Sequence, residues 1–162
     1  MSELLNSTES VHGSESVEEQ NEVLTFLGLR VGDEQYGVGL GDINEVIKDV
    51  ATVRLPFAKK TVLGLTNIRG RPVAVVDLRA AFFGKKAEPS PFIAICEVDG
   101  DFIGLGVDAI EEVFSAKLSE IRVDPNVKVS CGIKNILGMV DKSGRLVRIL
   151  DIKRWLSTES FI

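Results

Sequence analysis

Arg69 and Arg71 flank Gly70 inside the stretch GLTNIRGRPVAVVDLR, residues 64–79. A guanidinium pairs with a carboxylate or phosphate through two parallel hydrogen bonds. A bare strand–turn–strand needs no arginine, so the two face solvent, a ligand or another protein. The other reactive residue types are scattered. His12 is the only histidine, and Cys96 and Cys131 lie far apart with no CxxC spacing. No Cys–His pair, Ser–His–Asp set or metal-ligand cluster can be drawn from the body of the chain. The two cysteines read as buried free thiols of a reducing cytosol. The acid pair Glu111–Glu112 could do acid–base work, but no nucleophile or base accompanies it. The run GVGLG (37–41) lacks the G-x-G-x-x-G spacing and has no βαβ surroundings, so it reads as strand and hairpin. Neither metal, cofactor nor enzymatic activity is expected.

The elements that position these residues belong to a chain of 162 residues, enough for one domain or two small subdomains. Apolar residues make up 44 %, ordinary for a globular protein. No apolar run approaches the ~20 residues of a membrane span, so direct membrane insertion is not expected. The N-terminus has neither the basic start nor the apolar stretch of a signal peptide. Residues 1–22 carry six acids and no Lys or Arg, leaving 18 acids and 19 bases, a net of +1, in the other 140. The acidic pI thus belongs mostly to a Ser-, Glu- and Asn-rich tail expected to be disordered. A near-neutral body argues against nucleic-acid binding.

From Val23 the chain reads as short β segments. Residues 23–31 and 36–40 form strands around a GDEQ turn. In DINEVIKDV (42–50) the apolar positions 43, 46, 47 and 50 have the spacing of a short amphipathic helix, with Asp42 and Glu45 as a capping pair. Residues 62–68 and 71–78 are strands joined at Arg69–Gly70, RAAFF (79–83) makes a helical turn, and GKKAEPSP (84–91) is a linker. The order then recurs: strands at 92–98 and 102–107, and DAIEEVF (108–114) where the helix would fall. Residues 36–47 match 103–114 at five of twelve positions, and 63–79 match 137–153 at six of seventeen. The second copy carries seven extra residues around Asp124–Cys131. Duplication predicts two similar small β subdomains, a first repeat over about 23–83 and a second over about 92–157, followed by a short tail at 158–162. A groove is expected between the copies. Gly64, Gly70, Arg71 and Asp77 recur in both copies, as turn and strand-end devices would. Asn67, Ile68 and Arg69 do not: Asp141, Lys142 and Ser143 replace them.

The N-x-R-G turn followed by V-V-D-L, with I-x-E-V upstream and GVDAIEEVF and SGRLVRILDIKRWL downstream, resembles the CheW family of chemotaxis coupling proteins over about residues 23–157. The resemblance implies a mainly β fold of two small five-stranded SH3-like β-barrels with short helices. It implies a non-enzymatic adaptor, in the cytoplasm at membrane-associated receptor arrays. Such an adaptor links the cytoplasmic tip of a methyl-accepting chemoreceptor to the regulatory domain of a CheA-type histidine kinase, and other CheW copies can join the ring. Carried over residue by residue, the receptor-facing set is Ile43, Glu45 and Val46 on the predicted helix with Gly64, Arg69 and Gly70 on the hairpin. No kinase-contact residues follow. The chain departs from the family at Ala74, where members usually carry Pro; Pro72 stands two residues earlier.

Blander readings stand beside these. Ile43 and Val46 suit a core as well as a groove. Glu45 either caps its helix, meets Arg69 within the chain, or meets the receptor. Two function classes follow: a signalling scaffold, serving chemotaxis or a paralogous pathway of surface motility or development, and a small β-barrel ligand-binding or enzymatic domain that shares only architecture.

Overall fold

The computed structural model describes residues 21–123 and 136–158. The expectations for most of the acidic tail, His12, the 124–131 insert, Cys131 and residues 159–162 fall outside them. The chain is mainly β. Ten strands run β1 (Val23–Val31), β2 (Glu34–Gly39), β3 (Ile43–Lys48), β4 (Val62–Ile68), β5 (Arg71–Asp77), β6 (Phe92–Val98), β7 (Asp101–Val107), β8 (Ala109–Lys117), β9 (Ile136–Lys142) and β10 (Arg145–Leu150). Two short helices, α1 (Leu78–Phe83) and α2 (Ile152–Thr158), each follow the last strand of a set.

The strands form two five-stranded sheets, ordered β8-β1-β2-β10-β9 and β3-β6-β7-β5-β4. The second order becomes the first when each strand is exchanged for its counterpart five places along the chain. The registers repeat residue by residue: Phe26 pairs with Gly39 as Ile93 pairs with Gly106. Val113 faces Leu27 as Val46 faces Ala94. The bulges recur too, between Leu27 and Leu29 and between Ile43 and Glu45. Yet each sheet takes two strands from one half of the sequence and three from the other. The halves 23–83 and 92–157 are therefore units of sequence, not the two sheets.

The predicted helix at 42–50 is a strand, and so is its counterpart at 108–114. Only Leu40–Asp42 is helical, as a single 3₁₀ turn. β-branched Ile43, Val46 and Ile47 favour the extended chain, and β6 offers an edge to pair with. Burial in β3 alternates, with residues 43, 45 and 47 facing inward. The helical spacing misled because the inward residue in the middle is charged and the outward Val46 is apolar. Glu45 and Val46 therefore lie on opposite faces.

Between the sheets lies one shared core, including Leu29, Val38, Val76, Leu105 and both helices. Tyr36, Phe82 and Trp155 stack through it with ring centroids 4.9 and 5.9 Å apart. Each sheet also encloses a smaller core of its own, around Phe26, Val147 and Ile149 in one and Val73, Val75 and Ile93 in the other. Asp77 closes β5 by capping α1: its carboxylate accepts from the backbone N–H of Arg79 and of Glu88, at 3.1 and 3.0 Å. Burial pushes this carboxyl above its ordinary value, against the pull of those same backbone donors. Asp151 caps α2 likewise, accepting from Arg154 at 3.2 Å. The 84–91 segment is fastened rather than free, since Ala87 N–H donates to Lys60 and Arg79 pairs with Glu88 at 2.8 Å.

Cys96 is buried, and its thiol donates to the Ile103 carbonyl at 3.4 Å. Burial, helped by the Asp42 carboxylate, pushes its pKa up to about 12. The thiolate is the reactive form, so native protein at pH 8 is expected to leave the Cys96 peptide unlabelled by iodoacetamide, with full labelling only in denaturant. Labelling of Cys96 in the native protein would contradict its burial.

Candidate functional site

The β4–β5 hairpin turns on two residues, Arg69 and Gly70, both with positive φ of 52° and 81°. This is a type I′ turn, whose twist matches the flanking strands and whose first position suits Asn, Asp or Gly. The Asn67 side chain accepts from Gly70 N–H at 2.8 Å and holds the turn closed. The β9–β10 hairpin is built alike: Ser143 and Gly144 have φ of 53° and 82°, and Asp141 accepts from Gly144 N–H at 2.9 Å. Asn67 and Asp141 thus do the same work, a match that identity of residue type conceals.

Arg69 is the departure. Its side chain gives the turn nothing, and a left-handed backbone costs an ordinary residue about 1–2 kcal/mol. What the position supplies is reach. Its guanidinium makes two hydrogen bonds to Glu45, Nη1 to Oε1 and Nη2 to Oε2, both 2.9 Å. Glu45 sits on β3 and Arg69 beside β4, the two outer strands of the sheet, so the pair ties one edge to the other. The guanidinium remains 79 % exposed over a carboxylate that is 26 % exposed. The alternative left open by the sequence resolves here: Glu45 is the partner of Arg69 within the chain, and with no helix present it caps none.

The ion pair stands at the rim of a recess of about 310 Å³ lined by Asn44, Glu45, Ile68, Arg69, Arg71 and Phe102, among others. Arg71 stacks over the Phe102 ring at 4.9 Å. The recess lies within one sheet, and both sequence copies line it, since Ile95 and Phe102 come from the second. Of the six residues carried over from the resemblance, the structure brings Glu45, Arg69 and Gly70 together. Ile43 is half-buried and packs against the shared core. Val46 is 40 % exposed on the outer face of β3. Gly64 lies away from the recess, pressed against the backbone of Val53 and Arg54. Sequence reasoning missed Asn44, Ile68, Arg71, Val73, Ile95 and Phe102 as lining residues, because they meet only through the pairing of β3, β6, β7, β5 and β4.

Because the ion pair is exposed, it is worth no more than about 1 kcal/mol, less than the backbone cost it accompanies. Arg69→Asn is therefore expected to leave the melting temperature unchanged or raise it by a few degrees. A drop of several degrees in a thermal melt would make Arg69 a stabilising residue rather than a presented one.

A family model described as CheW-like domain matches residues 25–160. The chain belongs to the CheW-like family. It is 30 % identical to Chemotaxis protein CheW of Helicobacter pylori over 147 residues, covering 88 % of this chain and 87 % of that one. It is 26 % identical to Chemotaxis protein CheW of Klebsiella aerogenes over 136 residues, 83 % and 82 % of the two chains. Among solved structures, it is similar to scaffolding protein TtCheW from Thermoanaerobacter tengcongensis, with a TM-score of 0.71 and 26 % identity over 80 % of this chain and 90 % of that one. A shorter likeness, 30 % over 87 residues, links it to Protein PilI of Pseudomonas aeruginosa, covering 52 % of this chain and 48 % of that one. The CheW-like fold agrees with the two sheets and short helices seen here.

Proposed function

We propose that this chain is a non-enzymatic adaptor that couples the cytoplasmic tip of a chemoreceptor to the regulatory domain of a CheA-type histidine kinase in chemotaxis arrays. The observation that carries the reading is Arg69, held against the preference of its turn and displayed with Glu45 at the mouth of an open recess. Ser143 takes the same left-handed position in the equivalent turn, so the turn does not call for a guanidinium, and its display with Glu45 is best explained by a partner that uses it. Arg69, Glu45 and Gly70 form the receptor face, while Gly64 and Ile43 keep its strands in shape and Val46 extends the surface onto the outer face of β3. Membership of the CheW-like family supports the adaptor role, and with it a place in the cytoplasm beneath membrane-bound receptors. Among the described residues no group of three or more His, Cys, Asp or Glu could hold a metal ion, and no helix is long and apolar enough to cross a membrane.

The mechanism is geometric. Two faces of one rigid core hold kinase and receptor side by side, so that a receptor displacement changes kinase output. Such contacts are individually modest and gain strength from repetition in an array. The likeness to Protein PilI favours a second reading, a paralogous scaffold of another chemosensory pathway, for surface motility or development. A pulldown with a purified receptor cytoplasmic fragment and kinase regulatory domain tests the proposal. Wild type is expected to capture both, and Arg69→Glu to lose only the receptor. Capture of neither overturns the coupling reading.

A further inference from the structure

The exchange of strands that relates the two sheets also relates two recesses. The second, in the β8-β1-β2-β10-β9 sheet, is about 510 Å³. Its lining repeats the first position by position: Glu112 for Glu45, Arg145 for Arg71, Val147 for Val73. Three replacements change its character. Gly28 stands where the first recess has Ile95, and Gln35 where it has Phe102, so the floor lacks two large apolar side chains. Ser143 stands where the first has Arg69, so the edge-to-edge ion pair is missing. A Cβ on Gly28 would meet the Glu112 carbonyl oxygen at 2.9 Å, so this widened floor also depends on close approach of β8 to β1.

Two of the four charges that remain are engaged. Lys142, at the place of Ile68, turns to β8: its Nζ donates to the Ser115 carbonyl at 2.6 Å and lies 5.4 Å from the Phe114 ring centre. Glu111 is in loose contact with Arg30 at 3.8 Å. Among the described residues neither the Glu112 carboxylate nor the Arg145 guanidinium has an ion-pair partner. The recess is therefore an exposed carboxylate and an exposed guanidinium set over a floor that includes Phe114 and Val147.

We propose that this recess is a second docking site, which receives an arginine from a segment of a partner polypeptide. The guanidinium occupies the place that Arg69 fills in the other sheet, bonding Glu112 through two hydrogen bonds, with its methylene stem on the apolar floor. A carboxylate of the same segment meets Arg145. Arginine fits better than lysine because the Arg69–Glu45 pair, built on the same strand geometry, is bidentate. The site is independent of the receptor face and on the opposite sheet, which lets one adaptor hold two partners at once.

The test is a titration of the full chain, followed by two-dimensional amide NMR, with the blocked tripeptide acetyl-Arg-Gly-Asp-amide. Saturable shifts are expected at Gly28, Glu112, Ser143 and Arg145. The citrulline analogue, isosteric but uncharged, should produce none. Glu112→Gln should weaken binding up to about fivefold, the fold-change that the roughly 1 kcal/mol of an exposed pair corresponds to. Ser143→Arg should abolish binding by supplying the missing guanidinium from within, while the dispersed spectrum of the other sheet is retained. The proposal is overturned by no saturation up to about 50 mM peptide, by equal shifts with citrulline, by unchanged binding to Glu112→Gln, or by shifts centred on Glu45 and Arg69 instead.

Discussion

Gly64→Ala is expected to lower the melting temperature by on the order of 10 °C. Gly64 has a φ of 153°, a backbone that L residues rarely adopt, at a bulge between Val62 and Gly64 opposite Val75–Val76. A Cβ there would be driven into the Val53 carbonyl oxygen, with the Val53 carbonyl carbon at 2.8 Å and the Arg54 Cα at 3.3 Å. Val53 has no room to withdraw, because it exchanges both backbone hydrogen bonds with Leu65 at 2.7 Å. Backbone strain and overpacking each cost about 1–3 kcal/mol. A total near 3 kcal/mol corresponds to about 10 °C in a chain of this size. Gly70→Ala makes the control: its φ is also positive, at 81°, but nothing lies within 4 Å of a Cβ there, so only about 1 kcal/mol is expected. Calorimetry of both variants decides the matter. A Gly64→Ala protein that melts with the wild type would mean that the approach of residues 53–54 to β4 is not a fixed part of the fold. Loss of receptor capture by Gly64→Ala would therefore say little about contact.

Arg69→Glu is expected to reduce receptor capture more than tenfold while changing stability by no more than about 1 kcal/mol. The residue is exposed and lines a surface recess, so its reversal creates no cavity and buries no charge. It does set two carboxylates face to face at positions 69 and 45, which opens the link between the outer strands. Two losses are then combined, the guanidinium itself and the tie that positions the hairpin. The exchange Glu45→Arg with Arg69→Glu separates them, because it restores the tie with the charges reversed. Recovered capture would mean that the receptor reads the shape of the hairpin; continued loss would mean that it reads the guanidinium. If the single variant unfolds, the pair is structural and the receptor face lies elsewhere.

Much of the fold was legible because its signals are local. The turn chemistry of Asn67–Gly70, the strand alternation on either side and the recurrence of both at fixed offsets are properties of a few neighbouring residues. The candidate pair was half legible: Arg69 stood out as the arginine that the other copy omits. DINEVI failed as a helix because one half-buried, inward-facing acid broke the alternation on which strand recognition relies. That acid is bonded by Arg69, 24 residues on, which no local pattern shows.

By itself, the sequence determined that this is a duplicated, mainly β chain with arginine set in one of two equivalent turns. Local propensity and periodicity suffice for that. Only the tertiary structure decided that the strands of the two copies are exchanged between sheets, that Glu45 meets Arg69 across a sheet, and that Glu112 is left open in the matching recess. These depend on which strand edges pair over long separations. Edge pairing is set by burying both sheets against one common core, a balance that no short stretch of residues contains.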